Sequence, residues 1–468
     1  MITMKIRILY ISLLVTASFV LQSCFVAKNY TRPEVVDEAH FRTDSLERDS
    51  TTIASVSWRE MFTDPYLVRY IERALANNID IRVALQQIVV ARAYYNQGKQ
   101  GQLPTLNVTG RMNYQELARN SQFGEFFDGA ITQYELSGTL SWEADIWGKI
   151  RSQRRAFEAS YLQSVAAHQA VKTELIANVA GLYFQLLALD EQVRITQETI
   201  ATRESSLETT RALKDAGQVT EVAVKQTEAQ LYSARALLVD LQLNIKLLEN
   251  TMSILLGEAP HAIERGTLAD ITFNQGLSAG FPVQLLANRP DVRAAEFGLM
   301  NAFELTNVAR SNFYPSLSIT ATGGLQSLEF DQLVSANSLF ANIIGSLAQP
   351  VINGRRIRTQ YEVAQAQQEQ AYLNFRRAVL TASREVSDAL YRYDAAGEKI
   401  TAKSQEYESY NLATTYSEEL LNNGLASYLE VLTARQNALN SQLDLVNARL
   451  DRLSAVVSLY RALGGGWR

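Results

Sequence analysis

The chain repeats one pattern of residues at a nearly constant distance along its length. Asp-Ile-Arg at 80–82 precedes Leu-Pro-Thr-Leu-Asn-Val at 103–108, and Asp-Val-Arg at 291–293 precedes Tyr-Pro-Ser-Leu-Ser-Ile at 314–319. Both pairs are 211 residues apart, and three later glycine pairs repeat at 206 or 207. Those pairs are Gly148 with Gly354, Gly217 with Gly424, and Gly257 with Gly464. A near-constant offset indicates a duplication, so we expect two copies of one structural unit.

Composition is that of a folded protein and excludes several functional classes. Hydrophobic residues make up 47% of the chain, and the formal net charge of −5 gives no electrostatic basis for binding nucleic acid. One cysteine and three separated histidines provide neither a disulfide nor a metal cluster. The sequence has no Gly-rich phosphate loop, no Gly-x-Ser-x-Gly elbow and no His-Glu-x-x-His. We therefore predict no enzymatic activity, cofactor or metal.

The first residues have the features of a bacterial export signal. Two basic residues precede an apolar run at 8–21, which is too short for a comfortable membrane span. The only cysteine, Cys24, follows Leu21-Gln22-Ser23, an arrangement that resembles the lipobox of bacterial lipoproteins. The alternative is an ordinary cleaved signal followed by a chance cysteine. The position of Cys24 favours a lipoprotein signal peptide at 1–23 and a lipid-anchored extension at 24–63.

Proline spacing and hydrophobic patterning predict the same series of elements in two structural repeats, 64–257 and 283–463. Each repeat has a helix, two strands and two long helices. In the first repeat these are 64–100, 104–116, 132–143, 152–213 and 219–257. In the second they are 283–312, 315–327, 339–351, 356–422 and 425–463. An equatorial linker at 258–282 joins the repeats, and a short tail at 464–468 ends the chain.

The longest predicted helices are too long for a globular domain. Segments 152–213 and 356–422 contain 62 and 67 residues, which correspond to about 93 Å and about 100 Å. Such lengths indicate a coiled coil or tube. One face of the second segment has heptad-like spacing with small and polar members, which predicts close and partly hydrated packing. Its members are Ala364, Gln368, Ala371, Phe375, Ala378, Ala382, Glu385 and Ala389.

The predicted strands alternate apolar with polar or small residues, which is typical of a sheet with one apolar face. Strands of about 9–11 residues suffice to cross an outer membrane when tilted. A soluble sandwich is the alternative, but four strands separated by long helices make a poor sandwich core. Aromatic residues lie where strands meet helices, as expected at a membrane interface. They are Trp142, Trp147, Phe313 and Tyr314.

Four strands cannot close a barrel, and an open sheet edge is not tolerated in lipid. The chain must therefore oligomerise if its strands cross a membrane. A dimer would give an eight-stranded barrel, and side chains fill the interior of a barrel of that size. A trimer with twelve strands leaves a lumen. The residues alone require more than two chains and do not fix three.

Almost the whole mature chain is similar to the TolC-like outer-membrane efflux factors, in particular the NodT-type lipoprotein subgroup. The matching motifs are Cys24 with Tyr-Thr-Arg-Pro at 30–33, Trp58 with Asp64-Pro65, 142–149, Leu285-Leu286 with 289–292, Pro350 with 354–356, 427–432 and 462–467. Asn353 departs from the pattern, because family members often carry two glycines there. The resemblance implies an α+β membrane protein whose duplicated unit contributes four strands to a trimeric twelve-stranded β-barrel. It also implies a mixed equatorial region and a long periplasmic α-helical coiled-coil tunnel.

The resemblance implies a function as the exit duct of a tripartite efflux pump in the bacterial outer membrane. The duct would passively conduct drugs or other small molecules from the periplasmic pump to the exterior. Its partners would be a periplasmic adaptor (membrane fusion) protein and an inner-membrane transporter, usually of the resistance–nodulation–division type. The alternative is a structural or adhesive coiled-coil envelope lipoprotein, which has no use for duplicated amphipathic strand pairs.

The turns between the long helices of each repeat are the predicted docking tips for the adaptor. Glycine suits the left-handed end of a helix, and a following Thr or Ser can cap the next helix. The alternative assigns these residues to the turns alone, and both roles can hold together. The tip residues are Gly217, Val219, Thr220, Gly424, Leu425 and Ser427.

A candidate periplasmic gate precedes the second tip. Tyr410, Thr414 and Glu418 are spaced four apart and share a helix face. In a trimer, three Glu418 carboxylates would repel one another, which raises the proton affinity of the ring and attracts cations. Tyr410 and Tyr416 would supply offsetting contacts in a closed state. The alternative is that Glu418 simply solvates an outer helix face.

Overall fold

The computed structural model describes residues 26–33, 56–118, 120, 130–271 and 289–467. Cys24, the signal segment and part of the predicted linker therefore lie outside the described residues. The chain forms two compact units, each assembled from separate segments. The first is Met1–Pro33, Val89–Gln163 and Ala295–Phe375, and the second is Glu34–Ile88, Ser164–Ala294 and Arg376–Arg468. Within the described ranges, no helix has both the length and the apolar character needed to span a membrane.

The described elements follow one another in the order expected for a duplicated unit. They are α1 (Trp58–Met61), α2 (Pro65–Asn77), α3 (Ile79–Gln100), β1 (Thr105–Glu116), β2 (Ala130–Ala144), α4 (Lys149–Asp215), α5 (Glu221–Leu255), α6 (Pro290–Ser311), β3 (Ser316–Ser327), β4 (Leu339–Ala348), α7 (Arg356–Asn422) and α8 (Tyr428–Ala462). Short 3-10 turns lie at Leu268–Asp270 and Ala336–Ser338.

Equivalent elements of the two halves have equal lengths. Helices α3 and α6 contain 22 residues each, and strands β1 and β3 contain 12 each. Helices α4 and α7 contain 67 residues each, and α5 and α8 contain 35 each. Among the pairs that the structure describes in both halves, the second strands differ, with 15 residues in β2 and 10 in β4. Equal lengths at a near-constant offset are the structural form of the duplication.

The strands form one antiparallel sheet in the order β1-β2-β3-β4. The two hairpins join through pairing of β2 with β3, which places Leu136 opposite Leu325. Strands β1 and β4 are the edges of this sheet and have one neighbour each. The predicted strand 339–351 ends earlier, at Ala348, because Pro350 has no N–H to donate to a ladder.

The segment predicted as one helix, 64–100, is two helices separated by Asn78, so that prediction was wrong. The backbone of Asn78 is extended, with φ −56° and ψ 133°. Its side-chain oxygen accepts hydrogen bonds from the N–H groups of Asp80 and Ile81, at 2.9 and 3.1 Å. Asn78 therefore caps α3. The apolar periodicity continues through the break, so only this cap chemistry signals it.

The main hydrophobic core lies in the second unit and gathers aromatic side chains around the start of α2. Trp58, Phe62, Tyr70 and Tyr183 are all nearly inaccessible to solvent. Asp64 caps α2 by accepting a hydrogen bond from the N–H of Leu67, and the hydroxyl of Tyr183 donates to the same carboxylate oxygen, at 2.9 Å. Burial raises the pKa of Tyr183. These contacts explain the Asp-Pro motif at 64–65, since Asp suits an N-cap and Pro the first helical position.

Candidate functional site

One face of the sheet is continuously apolar. Residues paired across an antiparallel sheet share a face, and the register pairs Leu106 with Leu140 and Leu325 with Leu339. Exposed large side chains on this face are Leu106, Val108, Met112, Tyr114, Leu136, Leu140, Trp142, Ile319, Leu339, Ile343 and Leu347. Val108 and Ile343 are 74% and 76% exposed in the single chain. An apolar patch of this extent marks a surface that contacts lipid or protein.

The opposite face of the same sheet is polar. It consists mainly of hydroxyl and amide side chains on all four strands. Those residues are Thr105, Asn107, Thr109, Asn113, Gln133, Ser137, Thr139, Ser141, Ser318, Thr320, Thr322, Gln326, Asn342 and Ser346. This alternation of an apolar and a polar face is the pattern expected for the wall of an outer-membrane barrel, with lipid outside and water inside.

The four predicted interface aromatics lie together where the strands meet the helices. The indole N–H of Trp147 donates to the carbonyl of Pro315 at 2.7 Å, and the Trp147 ring stacks on Tyr314 with centroids 4.9 Å apart. Phe313 packs edge-on against Tyr361, and Trp142 donates to the carbonyl of Gln102 at 2.9 Å. The indole rings of Trp142 and Trp147 each place an apolar body beside one hydrogen-bonded N–H group. Such rings suit the boundary between lipid and water.

A second aromatic contact lies at the other end of the strands, near the hairpin loops. The Tyr134 and Phe330 rings meet edge-on with centroids 5.3 Å apart. Eight residues of β2 separate Tyr134 from Trp142, which is roughly 26 Å of strand. With the strand tilt of about 35–45° that is usual in membrane barrels, this length spans about 20 Å of height, most of an apolar band about 25 Å tall. The sequence prediction missed this second level because Phe330 lies in a loop without periodicity.

The stretch at 142–149 builds the junction between β2 and α4. Asp145 accepts hydrogen bonds from the N–H groups of Ile150 and Arg151, both at 2.9 Å, and so caps α4. Gly148 has a φ of +77°, which favours glycine. Lys149 lies 3.0 Å from the carboxylate of Glu143. Each polar group of the turn therefore has a partner.

Both predicted tips end their long helix in the same way. Gly217 and Gly424 have φ values of +76° and +74°. The N–H of Gln218 donates to Leu213 and that of Leu425 to Leu420, as in the Schellman motif. Thr220 and Ser427 occupy the following N-cap positions, but neither side chain makes a capping hydrogen bond. The expected capping by these two hydroxyls was therefore wrong.

The structure brings the two tips together around one polar cavity of about 790 Å³ in the second unit. Gln218 and Val219 from the first tip and Gly424 from the second line it. Tyr428 fastens the tips to each other, because its hydroxyl bonds Thr210 at 2.9 Å and Thr227 at 2.8 Å. Leu425 projects into solvent and is 75% exposed. Nothing in the sequence pattern predicted the role of Tyr428.

The three candidate gate residues share one half-buried face of α7, as their spacing predicts. Thr414 donates its hydroxyl to the carbonyl of Tyr410 at 2.9 Å. Glu418, however, faces α8 of the same chain, where it forms an ion pair with Arg435 at 2.7 Å. Arg435 also donates to the hydroxyl of Ser206 on α4. The expectation of unpaired Glu418 carboxylates therefore needs correction, since each has a cation beside it.

Polar contacts continue along the antiparallel seam between α4 and α8. Arg203 is buried, and it donates to Gln436 at 2.8 Å and to the carbonyl of Gln230. Burial, with a further contribution from the charge of Arg435, lowers the pKa of Arg203. Within the described ranges, no group of three or more His, Cys, Asp and Glu side chains is placed to hold a metal ion.

Comparison with known proteins identifies the family to which this chain belongs. The sequence profile of the outer membrane efflux protein family matches twice, at residues 70–258 and 281–465. The chain belongs to this family, and each match covers most of one predicted repeat. Its fold class is accordingly that of the TolC-like channels, in which a duplicated unit contributes four strands to a trimeric twelve-stranded β-barrel above a long helical tunnel.

Individual relatives match over nearly their whole length. The toluene efflux pump outer membrane protein TtgI of Pseudomonas putida is 29% identical over 463 residues, covering 97% of this chain and 98% of the relative. The probable outer membrane lipoprotein SilC of Salmonella typhimurium is 28% identical, covering 99% of both. The open-state structure of the MtrE channel of Neisseria gonorrhoeae is 26% identical with a TM-score of 0.84, covering 94% and 98%. The protein is therefore an outer-membrane channel of an efflux pump.

Proposed function

We propose that three copies of this chain form a passive duct through which small molecules leave the periplasm. The observation that carries the proposal is the two-faced sheet with an unpaired strand at each edge. An isolated edge in lipid leaves backbone N–H and C=O groups without partners. Pairing β4 of one copy with β1 of the next removes every edge. The polar faces then enclose water, and the apolar faces contact lipid.

The twelve-stranded ring is testable by mass and by function. Native mass spectrometry of detergent-purified protein is expected to give a trimer as the dominant species. A stable monomer or dimer would contradict the proposed pairing of β4 with β1. In cells, deletion of the gene should raise the accumulation of exported compounds, and plasmid-borne wild type should restore the normal level. Toluene appears in the name of one relative and describes the pump of that organism. It does not identify the substrate of this protein.

We also propose that Cys24 is the lipidated N-terminus of the mature protein. The support is an extended segment at 26–33 that lies along α6 in the first unit. Asn307 brackets Lys28, accepting from its N–H at 3.2 Å and donating to its carbonyl at 3.0 Å. Arg310 donates to the carbonyl of Val26. The segment that follows the proposed lipid anchor is therefore fixed against the end of α6.

Mass spectrometry of the mature N-terminus checks this anchor. We expect an acylated cysteine at position 24 and a shift to the unprocessed mass in Cys24→Ser. An unmodified cysteine, or cleavage at another residue, would contradict the assignment. The relative named as an outer membrane lipoprotein aligns over this region and motivates the same chemistry here.

The helix tips are the proposed contact for a periplasmic adaptor, with a resistance–nodulation–division transporter as the energy source beyond it. The support is the exposed Leu425 beside a polar cavity to which both repeats contribute. The residues proposed to take part are those of the two tips, namely Gly217, Val219, Thr220, Gly424, Leu425 and Ser427. Cross-linking of an adaptor to cysteines placed at Val219 and Leu425 in cells tests this contact, and no cross-link at either position would contradict it.

We propose that the gate consists of the face of α7 that carries Tyr410, Thr414 and Glu418, together with Arg435 of α8. The ion pair of Glu418 with Arg435 and the Arg435–Ser206 hydrogen bond join α7, α8 and α4 near the tips. A closed state needs these helix ends to stay together. Tyr410 and Thr414 lie on the next turns of the same face. Loss of the ion pair is expected to loosen the end of α7 and widen the periplasmic mouth.

A further inference from the structure

One row of long polar side chains crosses the polar face of the sheet. Arg111 on β1 is paired with Glu135 on β2, and Glu135 is paired with Gln326 on β3. The neighbouring row on this face, toward the helices, has the short members Thr109, Ser137 and Gly324 and one aromatic member, Phe340. Long polar side chains therefore lie side by side at this level, where they extend into any space that the polar face encloses.

The same row carries two charged side chains that form no ion pair with any residue that the structure describes. Three residues of the described strands are charged on the polar face, and they are Arg111, Glu135 and Glu143. Glu143 is neutralised by Lys149 at 3.0 Å. Arg111 forms no ion pair with any described residue, although Glu135 is its cross-strand neighbour. Both charges are therefore available to a solute.

Glu135 is also held in place. The hydroxyl of Ser137 donates to its carboxylate at 2.6 Å, and Ser137 is itself buried. A carboxylate fixed by a neighbouring donor keeps its position as solutes pass. Such a group acts on permeating ions more consistently than a freely rotating one.

We propose that Arg111 and Glu135 form a charged constriction that sets the ion selectivity of the duct. The proposal rests on the proposed function, because it requires the polar face to line the lumen. Three copies place three guanidinium and three carboxylate groups around one level. Rings of charged side chains select permeating ions by sign. Here the two signs alternate, so the constriction favours uncharged and zwitterionic solutes and discriminates weakly between cations and anions.

Reversal potentials of purified trimers in planar bilayers under a potassium chloride gradient test the constriction. Arg111→Gln leaves only carboxylates, and we expect the cation-to-anion permeability ratio to rise about threefold. Glu135→Gln leaves only guanidinium groups, and the ratio should fall by a similar factor. Arg111→Lys keeps the charge and should retain the wild-type ratio. Glu116→Gln changes a charge on the same strand but on the opposite face, so it is the matched control.

The outcomes separate this inference from the function on which it rests. Trimers of both glutamine variants that conduct normally with the wild-type ratio would overturn the constriction and leave the duct intact. Wild-type trimers that conduct no ions would overturn the duct and the constriction together. Arg111→Met and Glu135→Met are second neutral variants with side chains of similar length. If a glutamine variant does not assemble, the methionine variant at the same position is measured in its place, and the same outcomes apply.

Discussion

Asn78 and Arg289 are equivalent residues of the two repeats, and each donates to the carbonyl that ends the last long helix of its own half. The Asn78 amide donates to Leu255 at 2.9 Å, and the Arg289 guanidinium donates to Ala462 at 3.0 Å. Each residue stands immediately before an equivalent helix, α3 or α6. The duplication has therefore kept one contact between helix ends while its chemistry changed from a neutral amide to a charged group.

Because of this difference, we expect alanine at position 289 to reduce the free energy of unfolding more than alanine at position 78. Arg289 is buried and pairs with Asp291 and Glu385, each at 2.7 Å. Burial alone lowers the pKa of Arg289, but the hydrogen bonds and charges of these carboxylates outweigh it and raise the pKa. We expect Arg289→Ala to cost about 3 kcal/mol of unfolding free energy and Asn78→Ala about 1–2 kcal/mol. Thermal unfolding followed by circular dichroism measures both, and wild-type stability of Arg289→Ala would contradict the assignment.

Two adjacent glycines of β3 give a matched pair for the sheet. A Cβ at Gly324 would lie 2.2 Å from the carbonyl oxygen of Leu136, whereas one at Gly323 would lie 3.6 Å from its nearest neighbour. Contacts that short force the strands apart. Gly324→Ala is therefore expected to abolish the heat-stable trimer on gels, and Gly323→Ala to retain it. Equal behaviour of the two variants would mean that β2 and β3 are not paired in the register described.

Stability in acid should depend on Glu249. Burial raises the pKa of this carboxyl, but hydrogen bonds from Arg265 and from the N–H of Ile263, with the nearby positive charge, lower it overall. A lowered folded pKa contributes stability above the ordinary glutamate value of about 4.3, and this stability is lost as pH falls through the folded value. Glu249→Gln should therefore be less stable than wild type at neutral pH. In unfolding curves the gap should narrow as the pH falls below the ordinary glutamate pKa and close below the folded pKa of Glu249, and a constant gap would contradict the linkage.

If the adaptor docks at the tips, a bulky substitution at a tip residue should impair export more than the same substitution within the adjoining helix. Leu425→Trp enlarges a fully projecting tip residue, and we expect it to leave the trimer intact while adaptor cross-linking and drug export fail. Leu429→Trp is the control, because Leu429 is 57% exposed but is the second residue of α8 and lies outside the turn itself. Unchanged export by the Leu425 variant, or equal loss in both variants, would count against a docking role for the tip.

The gate assignment predicts different behaviour for two adjacent glutamates. Glu418→Gln removes the charge that pairs with Arg435, so the resting conductance should rise. Glu419→Gln changes an exposed neighbour and should behave as wild type. Tyr410→Ala is expected to raise the resting conductance as well. If neither Glu418→Gln nor Tyr410→Ala changes it, the gate lies elsewhere.

Sequence patterning located the elements well where a single periodicity governs them. Helix α7 begins at Arg356 and ends at Asn422, the residues predicted for it. Strand β1 begins at Thr105, one residue after the predicted start. Long unbroken amphipathic patterns and prolines leave little choice in such segments. The break at Asn78 escaped prediction because one side chain, rather than a change of pattern, produces it.

The candidate site was less predictable, because its contacts join residues far apart in the sequence. Spacing placed Glu418 on a shared helix face, but only the folded chain shows Arg435 beside it. The same holds for Tyr428, whose hydroxyl reaches Thr210 on α4. The pairing of Arg111 with Glu135 follows from the register of the first hairpin, which depends on a loop without sequence periodicity.

Single-channel recording of the purified protein in planar bilayers tests the central claim most directly. If three chains enclose a water-filled duct, discrete conductance steps should appear without any energy source, adaptor or transporter. Gly324→Ala, which is expected not to assemble, should give none under the same conditions. Purified trimers that insert into the bilayer and leave it without conductance, at every voltage and pH, would contradict a passive exit duct.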